Sequence, residues 1–161
     1  MVSDGHYDTA QICPNGHVIT ARADSRMKCR QEFCDKCGEA TLMNCPNCKA
    51  DIRGYYHVLG VSGGGGYRAP AFCHNCGSPF PWTERKKQAA IDLFNEESED
   101  EQDRKAFQES IEQITKDTPQ AQVASKRLSR LLTKVGKGTA SAIRDILVDV
   151  ASKAVKKILL H

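Results

Sequence analysis

The sequence predicts an α+β protein, a cysteine-rich half of short β-hairpins followed by a small all-helical region. Three observations carry this. All eight cysteines precede residue 77, and eight of the ten aromatic residues precede residue 83. Inside that half, closely spaced cysteine pairs recur in a fixed order. Beyond residue 83 the apolar residues return at three- and four-residue intervals, the period of a helix. The expected domains are residues 1–83 and residues 84–161.

Composition narrows the class of protein. The 161 residues are 40% hydrophobic and 27% charged, which excludes a wholly disordered chain. A net charge of +3 does not announce a nucleic-acid binder. No run of 18 apolar residues exists, and Met1–His6 lacks the basic start and apolar core of a conventional secretory signal. A cytoplasmic location is therefore expected. There, eight cysteines point to metal binding rather than disulfides.

The cysteines form an internal repeat. Cys13-Pro14-Asn15-Gly16-His17 is echoed by Cys45-Pro46-Asn47-Cys48, and Phe33-Cys34-Asp35-Lys36-Cys37-Gly38 by Phe72-Cys73-His74-Asn75-Cys76-Gly77. Two residues between thiolates let one tight turn aim both sulfurs at a single ion. Gly38 and Gly77 follow the second type of knuckle, where such a turn favours a left-handed residue. Two knuckles at the ends of a hairpin complete a tetrahedron, which is the plan of a zinc ribbon.

Pairing by repeat unit places ribbon one in residues 12–38, with Cys13, His17, Cys34 and Cys37 as ligands. Ribbon two occupies residues 45–82, with Cys45, Cys48, Cys73 and Cys76. Two other pairings remain open at this level: Cys34, Cys37, Cys45 and Cys48 on one ion, or an interleaved, cross-braced arrangement. Cys29 is the odd cysteine, either a free thiol or a replacement for His17. His17 has the better claim because it stands where Cys48 stands in the second copy. His6, His57 and His74 have no partner at ligand spacing and read as polar surface residues. Each ligand set is filled by protein, with no open position, so two structural Zn2+ ions are expected rather than catalytic ones. They would replace a core that a short, turn-rich chain cannot build.

The β-formers between residues 51 and 61 predict a strand that returns through Gly63–Gly66 to pair with Tyr67–Phe72. The glycine run reads as a loop tip rather than a phosphate cradle, since no Lys-Ser/Thr follows it. Pro79-Phe80-Pro81-Trp82-Thr83 closes this half. A helix is expected over 84–97, then an acidic, solvated connection over Glu96–Asp103. Phe107, Ile111 and Ile114 mark the next helix, and Thr118-Pro119 opens another that carries Val123, Leu128, Leu131 and Val135. Gly136-Lys137-Gly138 breaks the pattern. Thr139 is then expected to cap one long amphipathic helix to residue 160.

Charge is segregated within the helical half. Residues 92–117 sum to −7 and residues 118–161 to +7, while residues 1–83 sum to only +1. Two zinc ions on seven thiolates and one imidazole add −7 and +4, moving the whole chain from +3 to 0. The acidic and basic segments are expected to attract each other, although each exposed pair contributes only ~0.2–1 kcal/mol. The basic stretch 126–137 could instead follow a phosphate backbone, and residues 139–160 could lie on an anionic membrane or dock on a partner.

Residues 12–83 resemble the zinc-ribbon superfamily. Together with Ile52-Arg53-Gly54-Tyr55-Tyr56-His57-Val58 and the tail Arg144–Ala151, the motifs resemble a bacterial family known only as a domain of unknown function. The resemblance implies metal-ligand roles for the eight paired positions and brings no activity with it. No nucleophile–base pair is evident. The expected function is a non-enzymatic zinc-binding adaptor that engages a protein. A nucleic-acid-binding regulator and a membrane-active effector are the alternatives.

Overall fold

The computed structural model describes residues 4–61 and 65–160. The chain divides into two compact units, Met1–Trp82 and Thr83–His161.

In the first unit the chain runs extended through β1 (His6–Thr9) and β2 (Gln11–Ile12), then turns back through β3 (Val18–Thr20). β3 pairs antiparallel with β2, while β1 pairs antiparallel with β4 (Arg53–His57). The register sets His6 against His57, Tyr7 against Tyr56 and Thr9 against Arg53, so Asp8 stands against two residues, Gly54 and Tyr55, and the extra residue is on β4. A bulge of this kind re-aims a side chain. Asp8, opposite the bulge, is only 4% exposed.

The predicted strand at 51–61 thus exists in shortened form but does not pair with residues 67–72. Its partner is the N-terminal strand, and the cause is visible side by side. Tyr56 packs on Tyr7 with ring centroids 4.8 Å apart, and the Arg53 guanidinium lies over the Tyr7 ring. Between them Gly54 lets two backbones meet: a Cβ there would sit 2.2 Å from the Ala21 carbonyl oxygen. That same oxygen accepts from the Tyr55 N–H at 2.8 Å. Gly65 and Gly66 of the glycine run belong to an irregular segment, and Gly63 and Gly64 lie outside the described residues.

The apolar core of this unit is small. Ala10, Ile12, Ile52, Phe80 and Trp82 pack with the ligand cysteines Cys45 and Cys73. Phe80 stacks on Trp82 at 4.6 Å, and the indole N–H donates to the Pro70 carbonyl. Tyr67 donates to the Arg53 carbonyl, and burial pushes its phenol far up.

The second unit is helical: α1 (Pro81–Glu97), whose first two residues belong to the first unit, α2 (Glu101–Ile114), α3 (Pro119–Leu132), α4 (Lys137–Val148) and α5 (Lys153–Leu159). Helix α1 starts before the expected residue 84 because Pro81 suits a first turn, where no N–H is needed. The acidic connection shrinks to residues 98–100, since the acidic residues on either side are helical. Asp100 caps α2 by accepting from the Gln102 and Asp103 N–H groups. Thr118 caps α3 through the Ala121 N–H, with Pro119 in the first turn as expected.

The long last helix is two helices. The chain turns at 149–152, where the Val150 and Ala151 N–H groups both return to the Leu147 carbonyl and the Ser152 N–H goes to Ile114 of α2. The turn swings Val155 and Leu159 into the core beside Val150 and Ala151. Thr139 does not cap α4; Gly136 does, and Glu97 serves both. The Glu97 carboxylate accepts from the Gly136 N–H at 2.7 Å and from the Thr139 hydroxyl. It thereby supplies the N-terminal acceptor and negative charge that α4 lacks in its own first turn. The core is centred on Phe94 and Phe107, which stack at 4.1 Å, with Ile111, Leu128, Ile143 and Leu147 around them. Lys87 is nearly buried between Glu84 and Glu112, at 2.8 and 3.0 Å. Burial alone would depress its ammonium; the two carboxylates outweigh that and raise it.

Candidate metal centres

Three of the four knuckles share one backbone design. Phe33 bridges to Ala40, Asn44 to Asp51 and Phe72 to Pro79, each seven positions on. Inside each bridge the N–H of the leading cysteine (Cys34, Cys45 or Cys73) donates five residues ahead, and its carbonyl accepts from four residues ahead. That last donor sits in the left-handed region: Gly38 at φ 77°, Gly77 at 74° and Lys49 at 67°. Glycine fills the position twice, as the sequence suggests. Lysine fills it once, against its steric preference. The Cys13 knuckle has one more residue, with Gly16 at φ 89°, and ends on His17.

These turns bring eight side chains into two groups. Cys13, His17, Cys34 and Cys37 form one cluster, and Cys45, Cys48, Cys73 and Cys76 the other, with ligand atoms in each within 4.8 Å of one another. This is the sequential pairing; the structure brings together neither of the alternative sets. In both clusters the first cysteine of each knuckle is buried and Cys37 or Cys76 faces outward.

The distances discriminate between chemistries. A disulfide requires sulfurs ~2.05 Å apart. A tetrahedral ion ~2.3 Å from sulfur and ~2.0 Å from nitrogen separates two sulfurs by ~3.8 Å and a sulfur from a nitrogen by ~3.5 Å. Cys13 and Cys37 stand 3.7 Å apart, Cys48 and Cys73 3.7 Å, and Cys45 and Cys76 3.8 Å. His17 Nδ1 lies 3.3 Å from Cys13 Sγ and 3.5 Å from Cys34 Sγ. Each cluster can therefore hold a four-coordinate metal ion.

Asparagines complete the centres. Asn47, inside one knuckle of the second cluster, donates through Nδ2 to Cys76 Sγ of the other at 3.5 Å. Asn75, inside that other knuckle, donates back to Cys48 Sγ at 3.4 Å. In the first cluster Asn15 donates to Cys37 as Asn47 does to Cys76. The counterpart of Asn75 there is Lys36, and the counterpart of Cys48 is His17, a neutral ligand that needs no donor to spread its charge. The Asn47 amide, with Ser78, holds the Cys76 thiol down to about 5. The Glu39 N–H and then Asn15 hold Cys37 down to about 6. Burial pushes Cys13 and Cys45 up. The sequence alone assigns these asparagines no role; the signal that points to them is their recurrence at the same knuckle position, Asn15 with Asn47.

Cys29 lies exposed in a 3-10 turn, Met27–Cys29, and joins neither cluster. His74 is exposed, as expected. His57 is not a simple surface residue: its Nε2 lies 2.9 Å from Asp8 Oδ2, and its ring stacks on His6 at 5.0 Å. Burial opposes the Asp8 charge, but donors from Ser25, His57 and the Asp24 and Thr9 N–H groups outweigh it and hold the carboxyl at about 2. This polar node ties β1 and β4 to the 24–25 turn.

Paired knuckles, closed four-ligand sets and short strand pairs define a tandem, zinc-ribbon-like metal-binding protein. The chain belongs to a family described as uncharacterised proteins conserved in bacteria (DUF2321), whose model matches residues 6–159. No curated protein and no solved structure matches it.

Proposed function

We propose that the chain is a non-enzymatic adaptor whose first unit is held by two structural zinc ions and which engages a protein partner in the cytoplasm. The observation that carries the reading is the pair of closed donor sets, one of three cysteines with a histidine and one of four cysteines, at the edge lengths of a tetrahedron. Thiolate and imidazole donors in that geometry favour zinc, and four protein ligands leave no position for water or substrate. Cys13 and His17, Cys34 and Cys37 would hold one ion; Cys45, Cys48, Cys73 and Cys76 the other. An ion joining buried Cys45 and Cys73 would lock a core that has few apolar residues of its own.

Within residues 139–160 the large apolar side chains Ile143, Leu147, Val155 and Leu159 are spent on the helical core, so the proposal does not lay this segment on a membrane. No described helix is long and apolar enough to cross one. A nucleic-acid reading draws on the exposed cations Lys126, Arg127 and Arg130 of α3.

The test is elemental analysis joined to affinity capture. Purified full-length protein should carry two zinc ions per chain and retain a partner from its host that survives nuclease treatment. A chain with no bound zinc, or one that retains only nuclease-sensitive material, would overturn the adaptor reading.

A further inference from the structure

We propose that the trough between α3 and α4 docks an acidic amphipathic helix of a protein partner. This names the docking surface of the adaptor and rests on that reading. The trough has a volume of about 880 Å3 and lies wholly within the helical unit. One wall is α3, with Lys126 and Arg130; the other is α4, with Arg144. Ser129 and Ser141 stand between these cations, and their short side chains leave the space open. Leu160, 62% exposed, and Ile158 close one end with apolar surface.

Charge selects the occupant. Three cations face the trough against one carboxylate, Asp145. Among the described residues no ion pair engages Lys126, Arg130 or Arg144. The row they belong to already shows what it binds. Lys134, four residues past Arg130 in the turn that follows α3, takes both carboxylate oxygens of Asp103 from α2, at 2.8 and 2.9 Å. Lys126 and Arg130 repeat that cation at four-residue spacing, about 6 Å along the axis. An incoming helix with acidic side chains one turn apart matches that spacing. A further carboxylate reaches the Arg144 fork, which favours two-point contact. Leucines on the flank of such a helix cover Ile158 and Leu160.

The shape argues against other occupants. Exposed walls would leave a small molecule mostly in water, unlike the enclosure typical of such sites. Arg144 is half-buried inside a concavity that a flat bilayer does not enter. A phosphate backbone would use the cations and ignore the apolar end.

The probe is a labelled synthetic helix of about 20 residues with glutamates at every fourth position and leucines beside them, and its counterpart with every glutamate replaced by glutamine. Titrated against zinc-loaded full-length protein by fluorescence anisotropy, the glutamate peptide should bind saturably, and the glutamine peptide at least about tenfold more weakly. Lys126→Glu with Arg130→Glu should cost about tenfold, and Leu160→Ser severalfold, with circular dichroism unchanged; Lys153→Glu, outside the trough, should cost little. Equal binding of the two peptides, or unchanged binding to the reversed variant, overturns the proposal. So does tighter, Arg130-dependent binding of phosphatidylglycerol vesicles or of homopolymeric RNA. Partner capture separates the two readings. A nuclease-resistant partner held equally by the wild type and by the Arg130→Glu chain removes the trough and leaves the adaptor. A wild type that captures none removes the adaptor, while the titration still judges the trough.

Discussion

Asn47 and Asn75 reach across the second metal centre in opposite directions, each amide donating to a sulfur carried by the other's knuckle. Each knuckle thus orients a ligand of its neighbour, and neither donor is itself a ligand. Partners of this kind commonly change metal affinity 10- to 100-fold, on the order of 1.4–2.7 kcal/mol. Replacing Asn75 by leucine, which keeps the bulk and removes the donor, should weaken the second site by roughly that factor and leave the first untouched. Competition against a chromophoric chelator measures both sites at once. Equal weakening of the two would show that the amide supports the fold generally.

Cys29 and Cys13 make contrasting substitutions. Cys29→Ser should retain both ions, because the thiol is exposed and outside both clusters. Cys13→Ser should lose one. His17→Cys should retain the first ion, since Cys48 holds the same position in the second centre. Metal-to-protein ratio by mass spectrometry decides each, and loss of an ion from the Cys29 variant would refute the assignment.

The left-handed knuckle position predicts opposite signs at two equivalent sites. Lys49→Gly should stabilise the first unit by about 1 kcal/mol, because a lysine at φ 67° carries the strain that glycine avoids. Gly38→Ala should cost a similar ~1 kcal/mol. Nothing lies within 4 Å of the added Cβ, so that cost is conformational and not steric crowding by neighbours. Thermal unfolding of the zinc-loaded variants reads both.

Glu97 gives the pH prediction. Its hydrogen bonds from Thr139 and from the Gly136 N–H lower its carboxyl below the ordinary 4.5. A carboxylate lowered on folding contributes stability that is present above the unfolded value and lost as pH falls through the folded one. Wild type should therefore exceed Glu97→Gln in stability at neutral pH, and the gap should close on acidification below 4.5. Any metal released in acid is released from both chains, so their difference isolates this cap. A gap that stays constant from neutral to acid pH would exclude the charge as its source.

The grouping of the eight side chains was legible because it depends on short spacing, and two copies in the same order leave few ways to pair the knuckles. Helix identity was legible for the same reason: the repeats of Phe107, Ile111 and Ile114 are local. What stayed hidden depends on residues distant in sequence. The partner of Arg53–His57 is a strand more than forty positions earlier, and the bulge at Gly54–Tyr55 is set by that distant pairing. The break at 149–152 carries neither glycine nor proline; it arises because Ser152 finds the Ile114 carbonyl on another helix. The cap of α4 eluded the sequence likewise, since Glu97 comes from a different helix. Lys49 shows the converse, a fold imposing a conformation that its residue type disfavours.

Trp82 is the only tryptophan in the chain. It is 2% exposed, stacked on Phe80 and part of the core that includes Cys45 and Cys73. Its emission is therefore a built-in optical gauge of the second centre. Residues 83–161 contribute no indole, so their state adds no tryptophan signal of its own, and the first centre lies outside this core. A zinc titration followed at the indole band reads the filling of one site of two, with no label attached.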